Sequence, residues 1–65
     1  MSNFKGKYFD AKGKNKKNIE NKVISYVKEN NLEQDGMIAY VKIIEVAKKF
    51  DLQEIEVMYI MRYCR

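Results

Sequence analysis

Neither a metal nor a disulfide is open to this chain as a staple, because Cys64 is its only cysteine and it has no histidine. Structural zinc needs several thiolate or imidazole ligands, and an intrachain bridge needs two thiols. A chain of 65 residues must therefore hold itself together by apolar packing, and domains this small bury a limited share of their surface. The 46% hydrophobic content is that of a globular domain rather than a disordered segment. One small domain is expected, with a partner as the remaining source of stability. Cys64 reads as a small apolar side chain on a last helical turn; an intermolecular disulfide or a reactive thiol is the alternative. A lone cysteine fits a reduced, intracellular setting.

The net charge of +4 is placed unevenly. Within residues 1–17, Lys5, Lys7, Lys12, Lys14, Lys16 and Lys17 face only Asp10, whereas residues 18–65 are close to neutral. This divides the chain into a basic N-terminal arm, residues 1–17, and a folded body, residues 18–65. The arm interleaves lysines with Phe4, Tyr8 and Phe9. Ammonium groups neutralise phosphates and rings stack on bases, so such a segment suits nucleic acid or an acidic groove. A solvated tail with one or two aromatics docked on the body is the plainer alternative. Asp10-Ala11-Lys12-Gly13 suits a type I turn with its glycine in the left-handed region, which would fold the arm into a short hairpin; an unstructured arm is the other reading. Every basic residue except Arg62 and Arg65 is lysine, and Asn and Ile are abundant. That bias suggests an AT-rich coding sequence, as in many low-GC bacteria and their phages.

From Asn18 the period becomes helical. Ile19, Val23, Tyr26 and Val27 share a stripe that Ile24 widens, while Lys22, Lys28 and Glu29 fall outside it. A helix is expected over about residues 17–30, with Asn15 or Asn18 as cap and Asn30-Asn31 ending it in the left-handed conformation. Leu32 is expected to fold back onto the same core. Glu33-Gln34-Asp35-Gly36 is a polar turn. The run from Met37 to Ile44 suits either a strand or a buried helix. A three-helix reading, with Asp35 capping a helix from Gly36 to Phe50, is favoured. A winged-helix reading would make Met37–Tyr40 a strand and start the helix near Val41, but that strand would need the arm as its partner.

Residues 43–62 read as two short helices around a tight corner at Asp51. Val46, Phe50, Leu52, Val57 and Ile60 are spaced to point inward, and Ala47 is small enough to let two helix backbones approach. This pattern resembles the helix-turn-helix of DNA-binding regulators, whose second helix enters a major groove. The resemblance implies a mainly α fold, a three-helix bundle of helix-turn-helix type preceded by the basic arm. Two residues depart from the family pattern: Asp51 stands where glycine is usual, and Gln53 is a weak start for the second helix. Asp51 with Glu54 three residues on would make an alternative capping box for the last helix.

On that helix Val57, Ile60, Met61 and Cys64 fall on one face, the inward one. Gln53, Glu54, Ile55, Met58, Tyr59 and Arg62 form the outward face. Only Gln53 and Arg62 suit base edges or phosphates, while Glu54 and Glu56 would be repelled by them. Aromatics, methionine and arginine are instead enriched at protein interfaces. Ile55, Met58, Tyr59, Arg62 and Tyr63 are therefore the candidate partner-binding residues. Lys5, Lys7, Lys12, Lys14, Lys16, Lys17, Gln53 and Arg62 are the candidates for nucleic acid or an acidic groove. Tyr63 lying across the first helix, as plain core packing, is the bland reading of its ring.

Without histidine, a glycine-rich phosphate loop or a paired general base, no catalytic centre, metal site or cofactor is expected; Glu54 and Glu56 point to different sides of their helix. The expected function is a non-catalytic regulatory protein of phage or mobile-element type that docks its last helix on a protein partner of polymerase or nuclease type. A small DNA-binding transcriptional regulator is the alternative, and a homodimer is compatible with either. No apolar run approaches the roughly 20 residues that span a bilayer, and the first residues lack the apolar core of a signal peptide. A cytoplasmic protein is expected.

Overall fold

The computed structural model describes residues 6–64. They run α1 (Lys14–Glu29), β1 (Glu33–Gln34), β2 (Met37–Ile38), α2 (Tyr40–Phe50) and α3 (Glu54–Tyr63). The fold is mainly α, three helices with a small hairpin between the first two.

Local chemistry explains where each element stops. On α1, Val23 and Val27 are buried, with Ile19, Ile24 and Tyr26 packed beside them. The helix starts at Lys14 rather than at 17, because Gly13 takes the N-cap position with φ 57, and no asparagine side chain caps it. Its end is a Schellman pair. Asn31 adopts φ 52, its N–H donates to Lys28 O (3.2 Å), and the N–H of Leu32 donates to Val27 O (3.1 Å). Leu32 then packs on the core, as such motifs favour.

α2 ends by the same device. Asp51 is left-handed at φ 57, the N–H of Leu52 donates to Ala47 O at 2.8 Å, and Leu52 packs inward. A left-handed residue cannot also serve as an N-cap, which needs extended backbone. The capping box therefore falls on Gln53 and Glu56 rather than on Asp51 and Glu54, and the Gln53 N–H donates to Glu56 Oε1 at 2.7 Å.

The favoured helix over Gly36–Phe50 is corrected by a hairpin. Asp35 (φ 55) and Gly36 (φ 78) are both left-handed, the signature of a two-residue type I′ turn. That turn pairs Glu33 with Ile38 and Gln34 with Met37. The strand partner is thus the preceding dipeptide and not the arm. α2 begins only at Tyr40, after Ala39 in extended conformation (ψ 149).

Tyr8, Val23, Val27, Ile43, Val46, Ala47, Val57, Ile60 and Met61 form the buried core. Ala47 is buried beside the α2–α3 corner, where a larger side chain would separate the helices. Tyr8 at 1% exposure shows that the described part of the basic segment, residues 6–17, is packed on the body rather than free. Residues 14–17 are the first turn of α1. Residues 6–11 form a tight turn, with Asp10 N–H donating to Gly6 O (2.9 Å) and Ala11 N–H to Tyr8 O (3.1 Å). No hairpin forms among the described arm residues. Phe4 and Lys5 lie outside the described residues. Among those described, no helix is long and apolar enough to cross a membrane.

Candidate binding surfaces

The N-terminal segment is held by one carboxylate. Glu56 is fully buried, and its Oε2 accepts hydrogen bonds from the backbone N–H groups of Tyr8 and Phe9, both at 2.8 Å. Its Oε1 accepts from Gln53, so the same side chain closes the α3 capping box. A buried carboxylate costs several kcal/mol unless its lone pairs find donors, and here three amides supply them. Gly6 passes so close that a Cβ there would overlap the carboxylate. This role of Glu56 was not foreseen from the sequence. The Gln-x-x-Glu spacing was the available sign.

Tyr8 is tied at its far end as well. Its hydroxyl donates to Glu20 Oε2 at 2.6 Å and lies 3.3 Å from Cys64 Sγ. Burial, then the hydrogen bonds with Cys64 and Glu20, push the phenol far above its ordinary value. The hydrogen bond from Tyr8 holds the Glu20 carboxyl below its ordinary value. Lys16 Nζ sits 5.0 Å from the Tyr8 ring centre.

This anchoring positions the outward face of α3. Phe9 meets Tyr59 edge-on at 5.6 Å, Tyr8 lies 6.1 Å from it, and Tyr59 packs on Tyr63 at 4.9 Å. Ile55, Met58, Tyr59, Arg62 and Tyr63, all five expected partner residues, line one shallow depression of about 170 Å³. Tyr63 is 67% exposed and is flanked by Tyr59 and Arg62, so it does not lie across α1. A second groove of about 320 Å³ joins Met58, Met61 and Arg62 to Met37, Ile38 and Ile43. Met37, 74% exposed, extends the apolar surface onto the hairpin, a contribution the sequence reading did not assign.

The expected nucleic-acid residues do not gather in one place. Gln53 is engaged in the capping box, Arg62 lies with the apolar set, and Lys14, Lys16 and Lys17 sit in the first turns of α1. Lys12 is exposed in the connection ahead of them. Lys7 Nζ donates to Phe50 O at 3.5 Å, at the C-terminal end of α2 where a cation is favoured. Lys5 is outside the described residues. Glu54 accepts a hydrogen bond from the Tyr40 hydroxyl, which raises the Tyr40 pKa. Among the described residues no three His, Cys, Asp or Glu side chains are grouped to hold a metal ion.

Fold and surfaces together define a small mainly α domain with an apolar face on its last helix and lysines concentrated near its first. No protein-family model matches the chain, and no curated protein and no solved structure matches it either.

Proposed function

We propose that this chain is a non-catalytic cytoplasmic binding protein that docks α3 on a protein partner which itself handles nucleic acid, of polymerase or nuclease type. The lysine-rich end then faces that partner's acidic groove or its nucleic acid. The observation carrying this reading is the contiguous exposed set Ile55, Met58, Tyr59, Arg62 and Tyr63. Aromatic, methionine and arginine side chains around a shared depression are the composition of interface hot spots. A base-reading role is less favoured, because Gln53 is occupied at the helix start and the exposed Glu54 stands in the first turn of α3, where it would be repelled by phosphates. The likeness of α2, corner and α3 to a helix-turn-helix enters this reading as shape only.

The test is capture from a nuclease-treated lysate with the wild type and with Ile55→Glu/Met58→Glu. One stoichiometric polymerase or nuclease retained by the wild type and lost by the variant supports the reading. Recovery of no stoichiometric protein, or equal retention by both, overturns it. Light scattering that finds a dimer broken by the same substitutions overturns it too, since the face would then be used between copies of this chain.

A further inference from the structure

α1 turns a polar stripe to solvent. Lys14, Asn18, Lys22, Ser25 and Glu29 recur at spacings of three and four and are all exposed, with Asn15 and Asn21 beside them. Two open depressions follow this stripe. One, of about 430 Å³, is bordered by Lys7, Asp10, Asn15, Asn18 and Lys22. The next, of about 350 Å³, is bordered by Lys22, Ser25, Tyr26, Glu29 and Phe50. Lys22 lines both, so the two depressions adjoin at that residue and mark out a path along α1.

Three elements deliver ammonium groups to that path. Lys7 reaches it from the N-terminal turn, held on Phe50 O. Lys22 comes from α1 itself. Lys49 comes from the last turn of α2, its Nζ 5.4 Å from the Tyr26 ring centre. Asp10 and Glu29 are the carboxylates on its border. The start of α1 adds to the field, because its first turn has no acid and no side chain caps it. The positive end of the helix dipole therefore lies among Lys14, Lys16 and Lys17, with Glu20 as the acid that faces Lys16 and Lys17, and it favours an anion at the helix start. The folded body, near neutral in net charge, thus places Lys22 on the same depression as Lys7 and Lys49 next in sequence to Phe50, whose carbonyl holds Lys7.

We propose that this face of α1 binds the sugar–phosphate backbone of a nucleic acid. Lys7, Lys22 and Lys49 pair with successive phosphates, and the amides of Asn15 and Asn18 donate to phosphate oxygens. The proposal rests on the reading that the lysine-rich end meets nucleic acid rather than an acidic protein groove, but it does not require α3 to dock. Contacts of this kind position a strand without reading its sequence.

Fluorescence anisotropy of the full chain with a labelled single-stranded oligonucleotide, the same sequence as duplex, and poly-glutamate tests it. Binding to either oligonucleotide form is expected to weaken steeply with salt, the tighter form identifying the natural ligand. Lys22→Glu/Lys49→Glu should lower affinity at least about tenfold and flatten the salt slope by about one per lysine. Lys22→Gln/Lys49→Gln should do the same in weaker degree, and circular dichroism checks that both stay folded. Lys42→Glu, at a lysine paired instead with Glu45, and Met58→Glu should each leave binding within about twofold. Met58→Glu also separates the two readings, because it removes partner capture and spares oligonucleotide binding. Absence of oligonucleotide binding, affinity unchanged by either lysine pair, or equal affinity for poly-glutamate overturns the proposal.

Discussion

Gly6 and Glu56 are in such close register that a Cβ at residue 6 would overlap the carboxylate, which is already committed to the amides of Tyr8, Phe9 and Gln53. Residue 6 must be glycine for the N-terminal turn to reach this buried acceptor. Glu56→Gln places an NH₂ group where an oxygen accepted, so at least one buried amide loses its partner. The expected cost is about 2–4 kcal/mol, in a domain whose whole stability is on the order of 3–10 kcal/mol. Urea denaturation should show a large fall in midpoint for Glu56→Gln. Gly6→Ala should behave similarly and speed tryptic cleavage after Lys7. Unchanged midpoints would show that the carboxylate does not hold the segment.

Tyr8→Phe should alter the pH dependence of stability on both sides of neutrality. Burial and its hydrogen bonds keep the Tyr8 phenol protonated in the folded chain, whereas an unfolded tyrosine ionises near about pH 10. The unfolded state then binds fewer protons, so this contribution is present below about pH 10 and declines above it. Glu20 has the opposite sense. Its lowered pKa, caused first by the Tyr8 hydroxyl, adds stability above the ordinary carboxylate value that is lost as pH falls through the lowered one. The stability difference between wild type and Tyr8→Phe should be greatest between about pH 5 and 9 and narrow beyond both limits. A constant difference from acid to alkali would contradict this.

Asp51→Gly should stabilise the domain. The exposed aspartate pays for its left-handed backbone (φ 57) and sets a carboxylate at the negative end of the α2 dipole. Glycine removes both penalties and loses some unfolded-state entropy, for a net gain of roughly 0.5–1 kcal/mol. In the I′ turn, Gly36→Ala should cost about 1 kcal/mol, even though no atom crowds the new methyl group. Thermal melts of the two variants should therefore move in opposite directions.

The α3 face should separate binding from stability. Met58 is 46% exposed, and Met58→Glu should shift stability by less than about 0.5 kcal/mol while abolishing partner capture. Tyr59 touches Tyr8, Phe9 and Tyr63, so Tyr59→Ala should cost about 1–2 kcal/mol as well. A Met58→Glu protein that melts far below wild type would place that side chain in the core rather than on a docking face.

Much of the helical layout was legible in the residues themselves. The Val23/Val27 stripe, the inward set Val57, Ile60 and Met61, the left-handed end at Asn31 and the return of Leu32 all follow from periodicity and turn chemistry, which act over a few neighbouring residues. The hairpin was written there too, in Asp35-Gly36, but the β-branched run after it also suited a helix, and only the pairing of Glu33 with Ile38 decides between them. The five side chains of the α3 face lie at helical spacing and could be grouped from sequence. The anchoring of Tyr8 could not. A carboxylate at an inward helix position is costly unless donors reach it, and two of its three donors come from a segment 47 and 48 positions away. The joining of Lys7, Lys22 and Lys49 along one path is of the same kind. Residues far apart in the chain acquire a common surface only when three helices pack, so their shared chemistry belongs to the tertiary structure and to no local stretch of sequence.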